Sequence, residues 1–127
     1  MYKDFTDLSV WKLASDFAVE IFKLTIQLSK QEDYALTSQI RRSSLSISDN
    51  VAEGFGRETA KDKKKFYIIA RGSALEAKNQ LIYGNAVGYF KDEEIKELIK
   101  KQEQIHFELN KLIKSMRLAD YNTESQS

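Results

Sequence analysis

The chain has 127 residues, 42% of them hydrophobic and 31% charged, with a formal net charge of +1. That length suits one domain with a real core, and the near-neutral balance gives no global field that would draw polyanions non-specifically. There is no cysteine, which excludes disulfides, a thiolate nucleophile and a Cys-based zinc site; there is no proline either, and with only five glycines the chain should be mostly helix with short connections.

No apolar run approaches the roughly 20 residues that span a bilayer, and the opening MYKDFTDLSVWK lacks the apolar core of a signal peptide. The expected location is the cytoplasm, with no membrane partner. The charge is uneven along the chain. Arg57 to Lys78 holds seven basic residues against three acidic ones, so any polyanion site should involve that stretch.

The first helix is predicted from about Asp7 to Ser29. Val10, Ala14, Phe17, Ile21, Leu24 and Leu28 alternate at spacings of four and three, the seam of a helix in a bundle. Trp11, Ala18 and Phe22 widen that seam, so the helix needs neighbours on more than one side. Lys12 with Asp16, and Glu20 with Lys23, are placed to pair on the wet face.

A short charged connection, Lys30 to Asp33, leads to the second helix, with Asp33 as its expected N-cap. Leu36, Ile40, Ser44, Ile47, Val51 and Phe55 share one face. Ser43, Ser44, Ser46 and Ser48 lower helix propensity, which close helix–helix approach would offset. Gly54 and Gly56 are the expected stop.

Thr59 with Asp62 opens the third helix in the manner of a capping box. Phe66, Ala70, Ser73, Ala77 and Leu81 give its seam. Ala70, Gly72, Ser73, Ala74 and Ala77 are expected to face the small residues of helix two. The end is expected near Gly88. Asp92 is the expected cap of the fourth helix, whose seam is Ile95, Leu98, Gln102, Ile105, Leu109, Leu112 and Met116. Residues 119–127 are polar and aperiodic and are expected to be a disordered tail after a bundle of residues 1–118. The fold class is therefore all-α, an antiparallel up-down-up-down four-helix bundle.

The stretch LTSQIRRSSLSISDNVAEGFGR, Leu36 to Arg57, resembles the signature of the four-helix-bundle family of 23S-rRNA intervening-sequence proteins. Val10-Trp11-Lys12, Ala70, Gly72-Ser73, Leu75-Glu76 and Gly88-Tyr89 match in the same order. The resemblance implies a bundle that assembles into a ring, typically a homopentamer. It also implies kinship with the accessory variability protein of diversity-generating retroelements, a basic pentameric barrel that binds a reverse transcriptase and nucleic acid. Ser48 stands where the family usually has proline, which leaves a kink in helix two open. The net charge of +1 contrasts with the strongly basic retroelement branch.

Two surfaces are candidates for contact with another subunit or with RNA or DNA. The first is the polar set of the signature: Arg41, Arg42, Asn50, Glu53 and Arg57, with positions 42, 46, 49, 50 and 53 in one stripe. The second is Lys61, Lys63, Lys64 and Lys65 beside Phe66 and Tyr67, a basic patch next to aromatics. Catalytic, cofactor and metal residues are assigned to none. Glu103 and His106 form a single Glu-x-x-His, whereas a di-iron bundle needs two copies and further inward glutamates. One histidine and no glycine-rich phosphate loop leave no catalytic set to assemble. The expectation is a non-enzymatic homo-oligomer serving as an assembly or adaptor module, with no small-molecule substrate. The alternative is a nucleic-acid-binding accessory protein.

Overall fold

A computed structural model describes residues 2–28 and 33–126; the Lys30–Glu32 part of the first connection lies outside them. Four long helices run α1 Ser9–Thr25, α2 Ser38–Phe55, α3 Ala60–Ala86 and α4 Asp92–Gln126, with no strand among the described residues. A 3-10 turn, Phe5–Asp7, precedes α1. There the Asp7 carboxylate accepts the backbone N–H groups of Lys3 and Asp4 at 2.9 and 3.2 Å, and Phe5 sits edge-on to Trp11 at 5.3 Å.

α2 packs on α3, α3 on α4, and α1 on both α2 and α4. Ser43–Gln80 and Lys101–Glu20 pair early with late residues on neighbouring helices, and from Arg71–Asn110 to Lys78–Glu103 the register runs forward on α3 and backward on α4, so neighbours are antiparallel. The four helices form the expected up-down-up-down bundle, with α1 and α3 at opposite corners. Its centre is Phe17, Ile21, Ile40, Ile47, Leu81, Ile105 and Leu109, all fully shielded from solvent.

The seams hold with local changes. In α4 the buried row is Leu98, Gln102, Ile105 and Leu109, then Ile113 in place of the expected Leu112 and Met116. Asp16 and Glu20 do not pair with Lys12 and Lys23. Both reach across to Lys101 of α4, and the hydrogen bond to Glu20 raises the Lys101 pKa against the opposing desolvation, with the two acids' charges adding to the rise.

Helix ends follow their chemistry. Asp33 opens a five-residue π turn, Asp33–Thr37, that runs directly into α2; its side chain lies outside the described ones. α2 continues unbroken through Ser48 to Phe55. Thr59 caps α3 as expected, its hydroxyl accepting the Asp62 N–H at 3.1 Å. At the other end Gly88 adopts φ +88°. That left-handed residue lets the Tyr89 and Gly88 N–H groups return to the carbonyls of Gly84 and Asn85 at 2.8 and 3.1 Å. Asp92 lies in the first turn of α4, where its carboxylate accepts from Asn85 at 2.7 Å instead of capping. α4 continues past residue 118 to Gln126, so the polar segment expected as a tail is helical in this structure.

Candidate subunit-contact surfaces

The serine-rich α2 meets α3 closely. The hydroxyls of Ser46 and Ser73 lie 2.8 Å apart, and Ser43 donates to the Gln80 side chain at 2.6 Å inside the core. Ser44 and Ser48 bond back to carbonyls of the preceding turn, which satisfies a buried hydroxyl without a cross-helix partner. Asn50 donates to the Ser46 carbonyl at 2.8 Å and to its hydroxyl at 3.0 Å. Gly54 is less a stop than a contact: a Cβ there would come within 2.7 Å of the Tyr67 ring. Gly72, expected in the same interface, is exposed and has nothing within 4 Å of a would-be Cβ, so it faces away from α2.

The cations of the signature do not converge. The Arg41 Nε donates to the Thr25 hydroxyl at 2.8 Å, and its guanidinium lies 4.6 Å from the Phe22 ring centre, tying α2 to α1. Arg57 lies about 24 Å further along the helix axis at a rise of about 1.5 Å per residue. It pairs with Glu53 at 2.6 Å and covers the Phe66 ring at 4.6 Å. Lys63 donates to the Phe55 carbonyl at 2.6 Å, filling one of the unpaired acceptors at the end of α2. Lys64 lies 3.8 Å from Asp120 and Lys65 3.8 Å from Asp62. Arg42 and Lys61 are exposed and have no ion-pair partner among the described residues.

Two apolar surfaces stand out instead. On α3, Ile68, Leu75 and Ile82 are exposed at exact heptad spacing, flanked by Ile69, Tyr83 and Val87; Leu75 is 50% exposed and Ile82 49%. Along another side of the bundle, α1 and α2 enclose a groove of about 380 Å³ lined by Ser15, Ala18, Val19, Phe22, Arg41, Leu45 and Ser48. Val19 and Phe22 are each 49% exposed there and Leu45 53%. The sequence carried a signal for the α3 surface: Ile68, Gly72, Leu75, Asn79, Ile82 and Ala86 repeat at four-three spacing beside the core seam.

A model of the 23S rRNA-intervening sequence protein family matches residues 6–111, most of the chain. The chain belongs to that family. A crystal structure from Bacteroides thetaiotaomicron, described as a protein with unknown function from the S23 ribosomal protein family, shares the fold. It has a TM-score of 0.77 at 24% identity, covering 83% of this chain and 95% of that one. No protein of curated function matches. Membership of the intervening-sequence family thus brings a fold and a name without an activity.

The remaining polar features of this family member are modest. Glu103 pairs with Lys78 at 3.4 Å, and His106 is half-buried with its Nδ1 unpartnered. Among the described residues no three His, Cys, Asp or Glu side chains gather as a metal set, and no helix is long and apolar enough to cross a membrane. Tyr67 is 2% exposed, and burial pushes its phenol up from 10.0 to about 12. The neutral phenol is the form the fold favours. Its contribution is complete below pH 10 and is lost as pH rises through 12, an effect of about 2 kcal/mol. The urea midpoint of the wild-type protein should therefore fall between those pH values more steeply than that of Tyr67→Phe. Equal falls in both proteins would show that Tyr67 titrates as freely in the fold as in the unfolded chain.

Proposed function

We propose that this family member acts by self-assembly, as a homo-oligomeric module, and not by catalysis. The observation that carries the reading is α3. Its inner side buries Tyr67, Ala70, Ala74, Ala77 and Leu81, while its outer side presents Ile68, Leu75 and Ile82 to water. A helix that is apolar on both sides belongs inside a larger packed object. Monomers rarely keep so long an apolar strip in water, and such strips mark protein contacts. The net charge of +1 gives little mutual repulsion between copies. A ring of five is the assembly that the family resemblance favours.

Nucleic acid on the basic patch has less to stand on. Arg41, Arg57, Lys63, Lys64 and Lys65 already hold partners, and among the described residues only Arg42 and Lys61 of that set extend unpaired. Light scattering at micromolar concentration tests the main reading. The expected mass is a multiple of the 14.7 kDa chain, five for the favoured ring. A monomer mass at every concentration would end it.

A further inference from the structure

Resting on that assembly reading, we propose that copies join head to tail: the outer ridge of α3 in one copy seats in the α1–α2 groove of the next. The two surfaces differ in shape. The α3 face is a convex row of branched side chains at heptad spacing, and the α1–α2 face is a concave channel between two helices. Ridge into groove is the way helices pack, whereas ridge against ridge leaves gaps. Gly72 lies in the middle of the ridge with nothing within 4 Å of its would-be Cβ, so a neighbouring helix can approach the α3 backbone there.

Charge agrees with the shape. Beside the ridge, α3 carries Lys65 and then Glu76; on the exposed side of α2, beyond Leu45 from the groove, lie Arg42 and then Glu53 at the same sequence spacing. Laid antiparallel, Lys65 faces Glu53 and Glu76 faces Arg42. Laid parallel, like charges meet. Arg42 and Glu76 have no partner among the described residues of their own chain, whereas Glu53 already holds Arg57 and Lys65 lies 3.8 Å from Asp62, so Arg42 with Glu76 is the pair that sets the register. Exposed pairs of this kind contribute little affinity and act mainly on register and partner choice.

The placement of the two faces makes the association directional. α1 and α3 occupy opposite corners of the bundle. A two-fold dimer through α3 would leave every groove open, and one through the grooves would leave every ridge open. A head-to-tail contact covers both on each copy with a single kind of interface, and its repetition closes a ring or grows a filament.

Two variants test this. Leu75→Glu disables the ridge and Leu45→Glu the groove, each at a half-exposed position where the folded monomer has room for the new side chain. Each alone should lose the wild-type assembly. Mixed in equal amounts, they should form a complex of two chains, because one intact ridge still meets one intact groove. No association on mixing, or wild-type assembly by either variant alone, would overturn the pairing. Circular dichroism checks that each variant is folded; if one is not, Ile82→Lys and Val19→Lys replace the pair. Wild-type protein that is itself monomeric would remove the assembly reading altogether, whereas assembled wild type with silent mixing removes only the head-to-tail pairing.

Discussion

Gly84→Val should destabilise the bundle by about 3 kcal/mol, read as a lowered urea midpoint with an unchanged slope. The chain after α3 doubles back over that helix, and the ring of Phe90 lies on Gly84. A Cβ at this position would be 2.4 Å from two Phe90 ring carbons and 3.0 Å from a Leu36 methyl. Phe90 is itself 3% exposed, so its ring has nowhere to go. Gly84 is also the acceptor for the Tyr89 and Phe90 N–H groups that close the turn, at 2.8 and 3.2 Å. Displacing Phe90 would therefore disturb the turn along with the packing. Gly72→Ala is the control on the same helix. In protein dilute enough to keep copies apart, its surroundings are open, and alanine should stabilise by roughly 0.5–1 kcal/mol through helix propensity alone. Gly84→Val as stable as wild type would mean that Phe90 is not held where the structure places it.

Phe17→Ala should cost about 3–5 kcal/mol, a large fraction of the roughly 5–15 kcal/mol that holds a domain together. Phe17 lies at the middle of the α1 seam and is fully shielded from solvent. Alanine there loses the transfer free energy of the ring and leaves a cavity that four closely spaced helices can only partly collapse into. Phe22, one face away on the same helix and half-exposed, gives the contrast. Its truncation should cost far less folding stability, because its ring covers Arg41 and lines the groove instead of filling the core. Similar losses at the two positions, by denaturant unfolding of each variant, would contradict the assigned inside and outside of α1.

The architecture was legible because it rests on short-range periodicity. Val10, Ala14, Phe17 and Ile21 fix the inward face of α1, and Ile40, Ile47 and Val51 that of α2, whatever the partner helices do. The serines were also readable. Small side chains at 43 and 46 admit α3, and their hydroxyls meet Gln80 and Ser73. The polar stripe was harder. Arg41, Asn50 and Arg57 share a signature, yet long side chains choose partners by helix crossing and by nearby rings. Arg41 went to Thr25 and Phe22 of α1, Asn50 to Ser46, and Arg57 to Glu53 and Phe66. Gly72 illustrates the same limit. It is small like Ala70 and Ala74, but its angular position puts it outside, a difference that composition does not carry. The turn of π helix before Ser38 has no proline or glycine to announce it.

The outer face of α3 is the most consequential part of this arrangement, and its repeat is as regular as the core seam beside it. Periodicity counts apolar rows without saying which one faces the chain's own core. In the proposed assembly both rows are used, one within the bundle and one between bundles. Because the chain has no cysteine, Leu75→Cys would provide a single thiol on that face, with a neutral side chain in place of leucine. Its rate of reaction with a small thiol reagent, followed over a range of protein concentrations, reports directly whether the ridge is covered. The thiol should react slowly when the protein is concentrated and speed up on dilution as the copies separate. A rate that is fast and independent of concentration would contradict the assembly at its centre.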